Sequence, residues 1–283
     1  ELDRELLATT ERLVRAVQPA ELHVVTAAER AFPATCWSRG LEAARARQMT
    51  ELEELAGLAG ITRFLPVVVE GPPLDGILHH ALDHKVDLVL VGRHRAGHSS
   101  GLAQHLALAA PCAVWMVPAG APATLNRIVV ATDFSQASRL ALETAVGLCH
   151  ELGLSELTVL NVCATPATPG IDPLTDAARL EAFHRFAGEA SSGDVTLRPA
   201  FEHADDVVDG VAAAARRLGA DLVCMGSRGQ SRAAAMLLGA VTGESLRKLE
   251  CPVLVVRVPG KVASLAEVFL RRLFTEQDRP RVG

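Results

Sequence analysis

The chain has 283 residues, of which 49% are hydrophobic and 22% charged, and its formal net charge is −5. This composition is typical of globular domains, and the acidic balance gives no electrostatic reason to expect a nucleic-acid partner. Aromatic residues make up 4% with no tyrosine, which argues against base-stacking platforms. No apolar run reaches the roughly 18–20 residues that a membrane span needs.

The sequence repeats itself at an offset of 134 to 139 residues. Four pairs of landmarks recur in the same order: Glu21–Val25 with Glu156–Leu160, Asp75-Gly76 with Asp209-Gly210, Asp87–Gly92 with Asp221–Gly226, and Cys112–Val117 with Cys251–Val256. We therefore predict two copies of one unit, residues 1–120 and 125–258, joined by a Pro- and Ala-rich linker. The first copy begins at a helix, because Glu1 aligns near Gln136. We expect the counterpart of the second copy's first strand to precede residue 1.

In the second copy, short apolar runs alternate with helical patterns. The predicted strands are Arg127–Thr132, Leu157–Val162, Val195–Phe201, Leu222–Met225 and Val253–Val256. Ser135 predicts the N-cap of a helix that reaches about Leu152, and further helices are expected near 173–189, near 205–218 and before the last strand. Five strands separated by helices indicate an α/β fold: two copies of a doubly wound, five-stranded parallel sheet with helices on both faces and strand order 3-2-1-4-5.

A glycine-rich segment follows the fourth strand of the second copy, with Gly226, Gly229 and Gly239 in the spacing G-x2-G-x9-G. Glycines at these places let backbone N–H groups approach an anion closely. The last helix opens directly afterwards, so its N-terminal N–H groups and the Thr242 hydroxyl would donate to a phosphate. Arg228 would neutralise phosphate charge or remain solvated.

Four segments together resemble the universal stress protein family: Val130-Ala-Thr-Asp133-Phe-Ser, Met225-Gly-Ser-Arg-Gly229, Leu238-Gly239-Ala-Val-Thr242 and Cys251–Val256. In ATP-binding members, an Asp after the first strand accepts from the adenine amine, a residue on the second strand meets adenine through its backbone, and the glycine loop holds ribose and phosphates. The resemblance implies these binding residues: Ala131, Asp133, Val162, Met225, Gly226, Arg228, Gly229, Gly239, Ala240, Val241 and Thr242. Ala240 departs from the Ser or Thr usual there, which removes one hydroxyl donor and keeps the N–H.

The loop of the first copy, Gly92–Gly101, departs further from the family pattern because it lacks the nine-residue glycine spacing. We also expect no glycine before the last helix of this copy. The first copy is therefore expected to be a degenerate unit that pairs structurally with the second and binds no nucleotide in the family manner.

Other candidate sites are weaker. The six cysteines form no CxxC pair, so Cys163, Cys224 and Cys251 are expected to be buried small hydrophobes. His79, His80 and His84 share a predicted helix, as surface histidines or as half of a metal site, although the HExxH pattern is absent. Ser99 fits the letters of GxSxG, but no strand runs directly into it as a nucleophile elbow requires.

The sequence predicts a cytoplasmic tandem protein that binds an adenine nucleotide in its second copy and acts in stress response or signalling without dedicated catalysis. The expected nucleotide is ATP, with ADP and AMP as alternatives and Mg²⁺ accompanying a triphosphate; no metal site, nucleic acid or membrane is expected. A slow nucleotide hydrolase and an interaction module with an empty pocket stay open. The resemblance implies an internal pseudo-dimer through the last strands, Ala113–Val117 and Val253–Val256. A homodimer and the role of the tail, 259–283, with its amphipathic helix, also stay open.

Overall fold

The computed structural model describes residues 2–28, 37–58, 60–94, 101–164, 175–188, 190, 193–227 and 240–257. In the first copy the order is α1 (Leu2–Val17), β1 (His23–Ala28), α2 (Trp37–Leu58), β2 (Leu65–Glu70), α3 (Pro73–Asp83), β3 (Leu88–Arg93), α4 (Gly101–Ala109) and β4 (Ala113–Pro118). In the second copy it is β5 (Ile128–Ala131), α5 (Gln136–Leu152), β6 (Glu156–Ala164), α6 (Asp176–Gly188), β7 (Thr196–Ala204), α7 (Val207–Leu218), β8 (Leu222–Gly226), α8 (Ala240–Lys248) and β9 (Val253–Val256).

Seven strands form one sheet in the order β3-β4-β9-β8-β5-β6-β7. The last five are the second copy, and counted in chain order they give 3-2-1-4-5, which confirms the predicted doubly wound topology. All of their pairings are parallel. The central strand, β5, has neighbours on both sides, as a buried parallel sheet requires.

The two copies meet through their last strands, as predicted for the pseudo-dimer. β4 pairs antiparallel with β9, with Trp115 opposite Leu254 at the middle of the ladder. This antiparallel pair covers the edge that each copy would otherwise expose. The residues on β4 alternate between the two faces, so Val114 and Met116 belong to one core cluster and Trp115 to the other. Both clusters therefore run through the two copies without a break.

Among the described residues, the strands of the first copy are divided between two sheets, a division that was not predicted. β1 pairs only with β2 among the described residues, whereas β3 and β4 belong to the large sheet. In the second copy the corresponding halves are joined by β5, and the described part of the first copy holds no strand in that place.

Local sequence explains the helix boundaries of the second copy. Ser135 is the N-cap of α5, and its hydroxyl accepts from the Ser138 N–H, as predicted. Gly153 closes the same helix in the left-handed conformation at φ 67°, which glycine adopts without steric cost. Asp206 caps α7 in the same manner as Ser135 caps α5. None of the described helices is both long and apolar enough to cross a membrane.

Candidate functional site

The carboxyl ends of three strands of the second copy meet at one edge of its sheet. Ala131, the last residue of β5, is paired with Leu160 of β6 on one side and with Met225 of β8 on the other. Val162 lies two residues beyond Leu160 on β6, and Gly226 is the residue after Met225. The fold therefore brings together at one edge the predicted positions that come from β5, β6 and β8.

A tight turn after β5 holds Asp133 at this edge. One carboxylate oxygen of Asp133 accepts from the Ser135 N–H at 3.1 Å, and the Thr132 hydroxyl accepts from the Phe134 N–H at 2.8 Å. Phe134 adopts a left-handed φ of 60°, which is uncommon for a residue with a side chain. Its ring packs edge-on against the ring of Phe186, with the two ring centroids 5.5 Å apart. Side-chain hydrogen bonds and this ring contact thus stabilise a strained turn that presents a carboxylate.

The first turn of α8 is attached to the same edge. Helix α8 begins at Ala240, as predicted, and the buried Thr242 hydroxyl donates to the Gly226 carbonyl at 2.9 Å. The sequence predicted that this hydroxyl donates to a phosphate, whereas in the structure it donates to a backbone carbonyl. Arg228, Gly229 and Gly239, and the side chains of Ala240 and Val241, lie outside the described residues.

Gly226, predicted to be part of a phosphate loop, also allows a helix to pack closely on the strand that it ends. A Cβ atom at this position would lie 2.6 Å from the carbonyl carbon and 2.7 Å from the oxygen of Ala137. The first turn of α5 therefore packs directly on the end of β8, and only glycine leaves room for it. This contact keeps the turn that carries Asp133 close to the strand that leads into the glycine-rich segment.

A buried arginine that was not among the predicted site residues lies beneath the edge. Arg179 on α6 is fully buried, and its Nη2 donates to the carbonyl oxygens of Asn161 and Glu202 at 2.6 and 3.0 Å. Asn161 in turn donates its amide to the Thr132 carbonyl at 2.8 Å. The network ties α6, β6 and β7 to the turn after β5. An asparagine inside the apolar run of β6 was the one signal in the sequence that pointed to it.

The corresponding edge of the first copy is different. Arg93 ends β3 at the position aligned with Ser227, and its side chain is buried against the second copy. The segment 95–100 lies outside the described residues, and Ser99 with it. The last helix of this copy begins at Gly101, so its glycine lies within the helix, whereas Gly239 precedes α8.

The described cysteines are free thiols, and burial suppresses the ionisation of four of them. Burial raises the pKa of Cys112, Cys149 and Cys251 to about 11, and it raises the pKa of the fully buried Cys224 as well. A thiol with such a pKa is protonated and weakly nucleophilic at neutral pH. Burial of Cys224 is confirmed, whereas Cys163 and Cys251 are only partly buried.

Two of the three histidines predicted to share a helix, His80 and His84, form a cluster with a histidine from β1. His80 lies on α3, and His84 is the residue that ends it. Their rings lie 4.3 Å apart, and His23 from β1 joins them, with its Nδ1 at 2.7 Å from His80 Nε2. Among the described residues, no three His, Cys, Asp or Glu side chains are spaced to hold a metal ion.

Comparisons with known proteins agree on the fold and the family. The family model described as the universal stress protein family matches residues 3–118 and again residues 124–257. No curated protein matches the chain significantly.

Several solved structures are similar over most of their length. A universal stress protein from Archaeoglobus fulgidus DSM 4304 has 17% identity and a TM-score of 0.66, covering 90% of this chain and 92% of its own. A putative universal stress protein from Pseudomonas aeruginosa UCBPP-PA14 has 19% identity and a TM-score of 0.61, covering 92% and 90%. A functionally unknown protein from Pseudomonas aeruginosa PAO1 has 18% identity and a TM-score of 0.62, covering 93% and 91%. At these identities the likeness concerns the fold. Because one family model matches both halves of this two-copy α/β chain, the chain belongs to the universal stress protein family, with two family units in tandem.

Proposed function

We propose that the second copy binds an adenine nucleotide, ATP, across the edge formed by β5, β6, β8 and the first turn of α8. The observation that carries the proposal is that Asp133 and the start of α8 belong to one sheet edge. The first turn of α5, which follows the Asp133 turn, packs on Gly226, and Thr242 of α8 donates to the Gly226 carbonyl. In doubly wound sheets, ligands bind at the carboxyl ends of strands near the point where strand order reverses. Here that point lies between β5 and β8.

The two ends of the edge favour opposite parts of the ligand. The carboxylate of Asp133 would accept a hydrogen bond from the adenine amine. The first N–H groups of α8 have no acceptor within the helix, and they carry the positive end of its dipole, which favours phosphate. Val162 would meet the base, while Met225 and Gly226 lie between the base and the phosphates. The glycines at 229 and 239, with Arg228, would complete the phosphate loop.

The proposed activity is nucleotide-dependent signalling in a stress response, with no dedicated catalysis. Fast hydrolysis of a phosphoanhydride needs a positioned base or metal-held water near the phosphates. Among the described residues of the edge, Asp133 is the one carboxylate, and its Oδ1 accepts from Ser135 within the turn. The proposal gives Mg²⁺ the role of a companion of the triphosphate, with no protein metal site required.

Calorimetric titration of the full chain with ATP, ADP and AMP tests the proposal. Asp133→Asn keeps an oxygen for the Ser135 N–H and replaces the second carboxylate oxygen with an amide donor, which repels the adenine amine. We expect its affinity for ATP to fall about ten-fold or more, because hydrogen bonds to charged groups contribute about 1.5–3 kcal/mol. Glu143→Gln removes one charge from the exposed face of α5 and should bind like the wild type.

Gly239→Val tests the phosphate half of the site in the same titration. A wild-type protein that binds none of the three nucleotides would refute the proposal and favour an interaction module with an empty pocket. Phosphate release that depends on Asp133 and accompanies binding would favour the slow hydrolase instead.

A further inference from the structure

The antiparallel pairing of β4 with β9 brings the strand ends of each copy to the last helix of the other. Val114 is paired with Val255, and Met116 with Val253. The end of β4 therefore lies beside the start of β9, next to the corner where α8 leads into β9. By the same geometry, the end of β9 lies beside the corner where α4 leads into β4.

At each of these corners, an arginine from one copy donates hydrogen bonds to backbone carbonyls of the other copy. Arg93, at the end of β3 and in register with Pro118 of β4, donates its Nη2 to the carbonyl of Leu249. Arg257, which follows β9, donates its Nη2 to the carbonyls of Ala107, at 2.8 Å, and Leu108. We call Arg93 and Arg257 the cross-copy arginines. Each places a cation on the carbonyl end of the other copy's last helix, where the helix dipole favours positive charge.

Arg93 is deeply placed for this contact. The residue is 4% exposed, and burial lowers the pKa of its guanidinium, a group that nonetheless stays charged in proteins. The Leu249 N–H donates to the Ser245 carbonyl at 2.9 Å, so the contact is made on the last turn of α8. A charged side chain buried at this depth requires hydrogen-bond partners. The carbonyl that accepts from Arg93 belongs to Leu249, 156 positions away in the sequence.

Helix α8 has only nine residues, about 13.5 Å at 1.5 Å per residue, so its two ends move together. Its first turn is attached to Gly226 through Thr242. Its last turn is attached to Arg93, and Lys248 forms an ion pair with Asp209 of α7 at 2.7 Å. The restraint from the first copy therefore acts on the same rigid element whose start belongs to the proposed phosphate site.

We propose that Arg93 is a positioning residue for the nucleotide site of the second copy. By holding the last turn of α8, it fixes where the first turn of α8 meets the phosphates. The inference rests on the proposed function, and it gives the first copy a role in nucleotide binding without a nucleotide of its own.

Arg93→Met in the full chain tests the inference, with Arg257→Met as the matched control and Arg93→Lys as the conservative variant. The first measurement is backbone hydrogen exchange without nucleotide. We expect Arg93→Met to raise exchange about ten-fold at the amides of residues 244–249, because these are the amides that donate within α8, the earliest of them to carbonyls of its first turn. Arg257→Met should raise exchange in α4 and leave α8 unchanged. Arg93→Lys keeps the charge with a single donor group and should lie between the wild type and Arg93→Met.

The second measurement is the dissociation constant for ATP. We expect Arg93→Met to weaken binding at least about five-fold, the lower end of typical coupling between sites, and Arg257→Met to stay within about two-fold of the wild type. Unchanged exchange at the amides that donate to the first turn of α8, or equal weakening by the two methionine variants, would overturn the positioning role. If Arg93→Met does not fold, Arg93→Lys is judged by the same two measurements. Absence of ATP binding by the wild-type protein would overturn the proposed function, while the exchange data would still decide whether Arg93 restrains the start of α8.

Discussion

Replacement of Gly226 by alanine tests whether α5 really packs on the end of β8. The added Cβ would lie 2.6 Å from the carbonyl carbon of Ala137, whereas ordinary van der Waals contact begins at 3.4 Å. The helix would have to withdraw by the difference, 0.8 Å. Both nearest atoms are backbone, so no side-chain rotation relieves the clash. Overpacking of this kind costs about 1–3 kcal/mol, and we expect a value near the upper end.

The control is Gly147→Ala in the same copy. Gly147 lies on the exposed face of α5, and a Cβ there has no atom within 4 Å. Alanine should stabilise this helix by about 0.5–1 kcal/mol because glycine loses more backbone entropy on folding. Urea unfolding of both variants, followed by circular dichroism and by tryptophan fluorescence, measures the two changes. A Gly226→Ala protein that unfolds at the wild-type urea concentration or above would refute the packing of α5 on this glycine.

Three further variants test other parts of the account. Ser135→Ala removes the N-cap of α5 and should lower the free energy of unfolding by about 1 kcal/mol in urea, whereas Ser135→Asp should restore it. Arg179→Met leaves the carbonyls of Asn161 and Glu202 without this donor, so we expect a loss of about 3 kcal/mol or more, and a loss under about 1 kcal/mol would contradict the network. Burial and the nearby His84 and His23 lower the pKa of His80 from its usual 6.5. As the pH drops below 6.5, His80 is therefore protonated more readily in the unfolded chain than in the folded protein, and the free energy of unfolding should fall. His80→Asn should show a smaller loss of thermal stability between pH 7.5 and 5.5 than the wild type, and an unchanged pH dependence would count against the cluster.

Much of the second copy could be predicted because its elements are defined locally. The run Val253–Val256 is a strand at the predicted residues, and Ser135 begins α5 where its capping chemistry indicated. A strand is indicated by an apolar run between turn residues, and a helix start by a hydroxyl residue before it. Both patterns span only a few residues. The repeat extended this reasoning to the first copy, and it led to the expectation that the counterpart of the second copy's first strand precedes residue 1.

The contacts that depend on distant partners could not be predicted in this way. Arg93 and Arg179 are charged residues, which usually lie on the surface, and nothing nearby in sequence indicates that each is buried on backbone carbonyls. Gly226 could be recognised as glycine in a loop pattern, but its close approach to Ala137 follows from helix packing across the sheet. The site is therefore predictable as a set of strand ends, whereas the restraints that hold those ends together require the fold.

We propose that adenine nucleotide binds to the second copy alone, at the edge beside Asp133. Photolabelling of the full chain with 8-azido-ATP, followed by peptide mapping, locates the bound base, because the azide on the base marks the residues around adenine. We predict at most one label per chain, on peptides of the second copy that contain Asp133, Val162 or Met225, and its loss when unmodified ATP is in excess. Label in the first copy, or labelling that excess ATP does not prevent, would refute binding at this edge.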